Sequence, residues 1–377
     1  MNVKEIIIGS AGSLLRTQRQ DGSIPPGHNG PYYDEELPLR NTAHMLILLL
    51  KAHELTDENV YQDATLRTLE YITASERRPM GATFWVRKNP EKNFSNGLIG
   101  QAWVIEALVY AAKYLGDDRL KGMAEEVFLL HPFDEKMARW RIVNVDGSYG
   151  PVDMTFNHQL WFAAAGSFLS GNPHVKERIQ NFLDKLDVNL ETYGNGLIVS
   201  KLGGNLSSKS LKGRVKQLLK AQLLEKEKVS PMNEVINKAI GYHAFNTYGF
   251  GLLYQNTKDH GFWKSAVFFK ILEFLLSDLY REGLGHFVPD VAGKGKMLPF
   301  NRFGYPYNPP GIEVAFTVQT FNEHFGNGYK KLIGMWLNRQ MERTFDVDSG
   351  LMNRQTDDGA TLAVRMYEAV RLSEYEF

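Results

Sequence analysis

The sequence predicts an all-α fold: a closed α/α toroid, (α/α)6 or (α/α)7, with long loops gathered at one end. Three observations carry this. Apolar residues recur at helical spacing along most of the 377 residues, and strand-like alternation is almost absent. Short glycine turns punctuate the helices, among them Asn96-Gly97-Leu98, Asp146-Gly147-Ser148 and Asn195-Gly196-Leu197. These three stand about fifty residues apart, the length of a helix pair plus its loops, and such a period marks stacked αα-hairpins. Finally, segments 76–95, 131–155 and 283–311 are long, irregular and rich in Gly, Pro and aromatics. Loops of that length in a compact domain usually carry function. An open solenoid would run its apolar pattern evenly, so the interruptions favour a ring whose inner helices line a funnel.

Taken along the chain, the helices fall in pairs. Residues 40–56 and 60–75 make the first, 96–116 and 118–130 the second, and 156–171 with 173–187 the third. Further helical patterns cover 212–226, 231–255, 261–281, 312–325, 328–343 and 358–372. No linker-like stretch divides them, so residues 1–377 read as one toroid domain. Residues 204–230 are short of aromatics and carry several lysines; they read as a solvated amphipathic helix or, alternatively, as a lid or partner-binding arm.

Composition narrows the function classes. Forty-three basic residues balance forty-three acidic ones, and no basic stripe marks a nucleic-acid partner. The chain has no cysteine, which excludes disulfides and thiolate chemistry and argues against a structural zinc site. No two histidines stand four apart beside a ligand-grade carboxylate, and Walker, G-x-S-x-G and G-x-G-x-x-G patterns are absent. Neither a metal nor an organic cofactor is expected. The opening run Ile6-Ile7-Ile8-Gly9 is too short for a signal-peptide core. No stretch reaches the roughly 18 apolar residues of a membrane span. As written, the chain reads as cytoplasmic; a secreted or periplasmic form stays open if a signal peptide has been removed.

Polar residues at the starts of apolar helices are the chemical signal. Asn157 and His158 open an alanine- and aromatic-rich run, where burying an amide and an imidazole is costly. One reading is structural, with Asn157 as an N-cap and His158 satisfying a carbonyl. The other is that both face a cavity lined by an inner helix. Tyr242, His243 and Asn246 repeat the pattern in 241–254, with His243 and Asn246 three apart on one face; the alternative there is aromatic packing with satisfied polar tips. The proline-rich segment 299–311 cannot be helical throughout and displays Asn301, Arg302, Tyr305, Tyr307 and Asn308. It reads either as a binding loop or as a cover over a helix end. Segment 24–44 adds His28, Tyr32 and Arg40 as rim candidates, and 84–97 adds Trp85 and Arg87.

Aromatics make up 12% of the chain, and set in loops with Asn, His and Arg they suit a carbohydrate. Glycoside hydrolysis normally needs two carboxylates flanking the bond, whereas these helix starts offer Asn, His and Tyr. That set fits β-elimination from a uronic acid. An amide and an imidazole stabilise the charge that builds on the carboxylate, Arg302 grips a carboxylate in two places, and His or Tyr moves the protons. The expected partner is an acidic oligo- or polysaccharide, with no nucleic acid and no membrane insertion.

An Asn-His pair opening a toroid helix, with Arg and Tyr arriving later on a loop, resembles the metal-independent alginate and glucuronan lyases of α/α-toroid fold. The runs "LPLRNTAHMLILLLKAHELT", "NGLIGQAWVIEAL" and "TFNHQLWFAAAG" also resemble the AglQ-like proteins of surface-glycan gene clusters. The resemblance implies a polysaccharide lyase in which Asn157 and His158 neutralise the carboxylate, His243 is the base, and Arg302 with Tyr305 or Tyr307 forms the Arg/Tyr loop. Tyr242 stays a further candidate for the acid. The same toroid carries unsaturated-glucuronyl hydrolases and sugar epimerases; a hydrolase would recruit Asp146, Asp153 or Glu106 as acid. A non-catalytic glycan-binding protein is a third reading.

Overall fold

The computed structural model describes residues 2–203, 234–290 and 293–373. Burial sorts its helices into two kinds. Leu39–Thr56 (α2) is buried at every position from Leu39 to Leu50, and a helix apolar all round must be enclosed. The following helix, Asn59–Thr73 (α3), buries only the stripe Tyr61, Ala64, Thr65, Thr68, Leu69 and Ile72, with Tyr71 beside it. The same contrast recurs. Gly97–Leu115 (α4) is followed by Asp118–Leu130 (α5), Phe156–Ser167 (α6) by Pro173–Asp184 (α7), and Glu234–Gln255 (α8) by Ala266–Phe274 (α9) and Asp278–Gly285 (α10). Pro310–Thr320 (α11) precedes Tyr329–Thr344 (α12), and Gly359–Val364 (α13) runs into a 3-10 segment, Arg365–Arg371.

Among the described residues, the enclosed segments touch in cyclic order. α2 packs on α4, α4 on α6, α6 on α8, α8 on α11, α11 on segment 365–371, and that segment returns to α2. The striped helices lie outside, α3 on α2, α5 on α4, α7 on α6, α10 on α8 and α12 on α11. The architecture is mostly helical and of the α/α-toroid type. No helix among the described residues is long and apolar enough to cross a membrane.

Several elements depart from the sequence expectation. Val3–Leu15 (α1) is a helix capped by Asn2 and packed on α2 and segment 365–371. Its small residues Gly9 to Ser13 dilute the apolar spacing that would announce it. Segment 131–155 contains an antiparallel meander, Phe133–Asp134 (β1), Arg139–Val143 (β2) and Tyr149–Val152 (β3). The Asp146-Gly147 turn is its hairpin tip, with Gly147 at φ 82°. A second hairpin pairs Phe345–Asp346 (β4) with Leu351–Met352 (β5) across Gly350. The run 261–281 breaks into a 3-10 turn, α9 and the start of α10. The helix expected at 212–226, and the lid considered at 204–230, lie outside the described residues.

Two glutamines tie the long loops to the ring. Gln159 on α6 accepts from Trp140 N at 2.9 Å and donates to Trp140 O and Asp153 O at 2.8 and 2.9 Å. Gln101 on α4 does the same to Phe84 N, Phe84 O and Ser95 O.

Ring closure rests on buried charge. Arg365 donates to Glu313 of α11 at 2.8 Å and pairs with Glu368 at 2.5 Å. Arg371 pairs with Glu106 of α4 at 2.7 Å and donates to Tyr248 of α8 at 3.2 Å. Burial, and then the neighbouring Glu368, push the Glu313 carboxyl well above the usual range against the pull of Arg365. Burial likewise lifts Glu368 to about 7, Arg365 opposing and Glu106 adding to the rise. Two carboxylates on one guanidinium are not both ionised cheaply, so this pair holds a proton near neutrality. A raised folded-state value means the native protein binds a proton that the unfolded chain has released. Stability from Glu368 is therefore present below about 4.5 and lost as pH rises through about 7. His44, His131 and His243, whose values burial lowers, work in the opposite direction, so the difference between variants is the measurement. Glu368→Gln is expected to match the wild type near the acid end and exceed it by up to about 3 kcal/mol above neutrality. Thermal melting across that range checks this, and parallel curves contradict it.

Candidate functional site

The start of α6 stands at a cavity of about 670 Å³ between the first turns of α4, α6 and α8 and the loops above them. The backbone there is organised by Asp153. This carboxylate accepts from Thr155 N at 3.1 Å and Leu98 N at 3.3 Å, and receives His158 Nδ1 at 2.8 Å. Burial opposes its charge, but His158 and the two amides more than offset that and hold it below the usual carboxylate range. An ionised Asp only accepts, so Nδ1 carries the hydrogen and Nε2 of the half-buried His158 is left as an acceptor at the cavity. Gly97, at φ 58°, makes room for the pair: a Cβ there would lie 2.6 Å from Asp153 Oδ2.

Thr155, not Asn157, occupies the N-cap position, and it makes no side-chain cap bond. Asn157 sits one residue inside the helix, 9% exposed, and lines the cavity. Its Oδ1 is buried without a partner, and Asn246 on α8 repeats this at 3% exposure. Neither amide caps or props the backbone.

Three tyrosines cluster elsewhere on the lining. The hydroxyls of Tyr32 and Tyr242 are 2.8 Å apart, and Tyr307 donates to Asn29 Oδ1 at 2.7 Å, its ring edge-on to both others. Burial pushes Tyr32 and Tyr242 above the usual phenol range. Gly30, at φ 55°, lets the loop pass against the Tyr307 ring, which a Cβ would meet at 2.1 Å.

Of the residues picked from sequence, Asn157, His158, Tyr32, Arg87, Tyr242, Asn246, Tyr307 and Asn308 come together at the cavity. Seven do not. His243 is fully buried on the far side of α8, its Nδ1 accepting from Ile198 N and its Nε2 donating to Ile271 O at 3.0 Å. Burial drives its value down to about 4, the Ile271 bond opposing. Facing the outer layer leaves it no substrate to deprotonate. Arg302 is sequestered by Asp290 at 2.8 Å, with Tyr33 and Asp357 beside it. Tyr305 packs on Phe300 and lies under Arg343 of α12; burial raises it to about 12 although Arg343 and Arg339 oppose. Asn301 braces α8 and α10 through Asn237 O and Gly283 O. His28 contacts Gly30 O and Asp357 O, and Trp85 donates to Arg87 O. Arg40 is buried behind the wall, paired with Glu36 at 3.2 Å and stacked 4.0 Å over Trp103.

The acids considered for hydrolysis are also displaced. Asp146 is exposed at the hairpin tip, Glu106 is closed off by Arg371, and Asp153 is engaged behind His158. Residues the sequence reading passed over include Asn29, Lys92, Asn96, Trp103, Tyr193, Lys201, Lys238 and Arg365. Trp103 and Arg365 carry a signal, being large groups on the inner face of apolar segments; the loop residues carry none.

Solved structures share this fold of enclosed and outer helices. Cellobiose 2-epimerase from Spirochaeta thermophila superposes with a TM-score of 0.65 at 14% identity, covering 98% of this chain and 96% of that one. D-mannose isomerase gives 0.61 at 12% identity over 98% and 97%. An unsaturated glucuronyl hydrolase specific for heparin gives 0.58 at 12% identity over 98% and 95%. No protein-family model matches. Archaeal glycosylation protein Q of Haloferax volcanii is 40% identical over 383 residues, spanning all of this chain and 98% of the relative. The chain belongs to the archaeal glycosylation protein Q family.

The geometry separates the two histidines. His243→Ala strips two backbone partners from the core and is expected to cost about 1–3 kcal/mol, whereas His158→Ala takes one partner from Asp153, which keeps the Thr155 and Leu98 amides, and is expected to cost less, about 1 kcal/mol. Denaturant melts check both, and a fully stable but inactive His243→Ala would return that residue to the chemistry.

Proposed function

We propose that this protein is a glycan-modifying enzyme that moves a proton at a carbon next to a carbonyl group of a sugar unit, an epimerase or isomerase within archaeal surface glycosylation. The whole chain, 1–377, acts as one toroid around the cavity. The observation that supports this most is His158, backed by Asp153, facing a cavity whose described lining contains no carboxylate. A glycosidase normally needs two carboxylates across the bond. An inactive variant of a toroid mannanase from Salegentibacter is altered at two neighbouring aspartates; no such pair is among the described residues lining the cavity here. A lyase shares the first proton abstraction, so the uronate-cleaving reading becomes an outcome of the test.

In the proposed step, Nε2 of His158 takes the proton and Asp153 stabilises the imidazolium that forms. The oxygen that becomes negative is met by the donors of Asn157, Asn246 and Arg365. Tyr242, relayed through Tyr32, returns a proton from elsewhere on the lining for epimerisation, or His158 returns its own to the neighbouring carbon for isomerisation.

Incubation in deuterium oxide with reducing and uronic-acid oligosaccharides tests the reading. Carbon-bound deuterium is expected in recovered sugar, and His158→Ala or Asp153→Asn is expected to slow its uptake by about 10²–10⁴-fold. New reducing ends without carbon-bound deuterium would identify a hydrolase, and the ultraviolet absorbance of an unsaturated uronate would identify a lyase.

A further inference from the structure

The chain has equal numbers of acids and bases, yet the described lining of its cavity carries five cationic side chains and no acid: Arg87, Lys92, Lys201, Lys238 and Arg365. Three of the five are ion-paired with carboxylates outside the lining. Asp34 pairs with Arg87 at 3.0 Å and Lys92 at 3.2 Å, and Arg365 is held by Glu313 and Glu368. Lys201 is exposed. Lys238 is different. It is half-buried in the first turns of α8, with no carboxylate within ion-pair distance among the described residues. Its ammonium lies 4.9 Å from the Tyr32 ring centre and 5.9 Å from that of Tyr242. Contact with the ring faces holds the charge in place while leaving its three hydrogens to donate.

A second observation points to the same ligand. Asn157 and Asn246, each more than nine-tenths buried, line the cavity, and the Oδ1 of each is buried with no hydrogen-bond partner among the described residues. Desolvated polar groups left unmatched by the protein are costly unless a ligand completes them. The orphan atoms are amide oxygens, which accept from the hydroxyl groups of a sugar, while the cation without a counter-ion beside them favours an acidic one.

We propose that Lys238 is the specificity-determining residue of this cavity, and that it selects a sugar unit bearing an anion, either a uronate carboxylate or a phosphate ester. The inference rests on the cavity being the substrate site, but not on which bond changes there. Charge-assisted hydrogen bonds of this kind are the strong ones, and a partly desolvated amine discriminates an acid from its neutral counterpart better than a rim lysine would.

Binding, measured apart from turnover, tests it. In a His158→Ala background, calorimetric titrations would use a glucuronan oligosaccharide, its carboxyl-reduced neutral counterpart and a mannose phosphate. At least one anionic probe is expected to bind about tenfold or more tighter than the neutral one, with the preference shrinking as salt rises. Whether carboxylate or phosphate binds better identifies the anion's source. Lys238→Met is expected to erase the preference while keeping the neutral probe's affinity and the melting temperature, and Lys238→Arg to retain it. Equal affinity for acid and neutral probes, no binding of any anionic probe, a preference surviving in Lys238→Met, or a loss that Lys238→Arg does not restore would each overturn the proposal. Deuterium uptake is read separately, in the wild-type protein, so a failed anion site and a failed proton-transfer reading give different results.

Discussion

A ring of helices must fill its own axis, and this one does so with charge. Glu106, Glu313, Glu368 and Arg365, all buried, and the partly buried Arg371 are brought together from α4, α11 and the last segment. Taking such groups out of water costs several kcal/mol per ion unless each finds a partner, so the network tolerates little slack. It also means that the ring is closed by residues 365–371, near the end of the sequence, against helices laid down long before. The cavity depends on that closure, because Arg365 is at once part of its lining and the hub of the network beneath it.

The helical pairing was legible because enclosed and outer helices write different patterns. The unbroken apolar run of α4 and the single stripe of α3 are told apart by periodicity alone. The strands were not legible. Phe133–Asp134 and Phe345–Asp346 are two residues each, shorter than any window in which alternation can be counted. Helix α1 was missed for the converse reason: its face is built from Ala11 and Ser10 as much as from isoleucine, and Ser10 donates to Gly350 O instead of packing as an apolar group.

The lining of the candidate site was legible where a polar residue interrupts an apolar helix near its first turn, as Asn157 and His158 do. The same rule failed for His243, which lies nine residues into α8 on the face turned outward to α9 and α10. Spacing told that His243 and Asn246 are neighbours, but three residues also span enough arc for one to face the axis and the other the outer layer. Loop residues were legible only by type. Arg302 and Tyr305 look like binding groups in sequence, and only three-dimensional packing reveals Asp290 and Arg343 as their partners.

Gln101 and Gln159 make the same three bonds at corresponding places, each reaching from an inner helix to an aromatic residue and to a carbonyl six residues upstream. The clamp closes at the base of the loop and ignores its tip. The largely exposed tips of the two loops, 88–92 and 145–149, lie outside these clamps. Loops anchored in this way can lengthen or diverge at their tips while the ring beneath keeps its packing, provided the aromatic anchor and the glutamine are both kept.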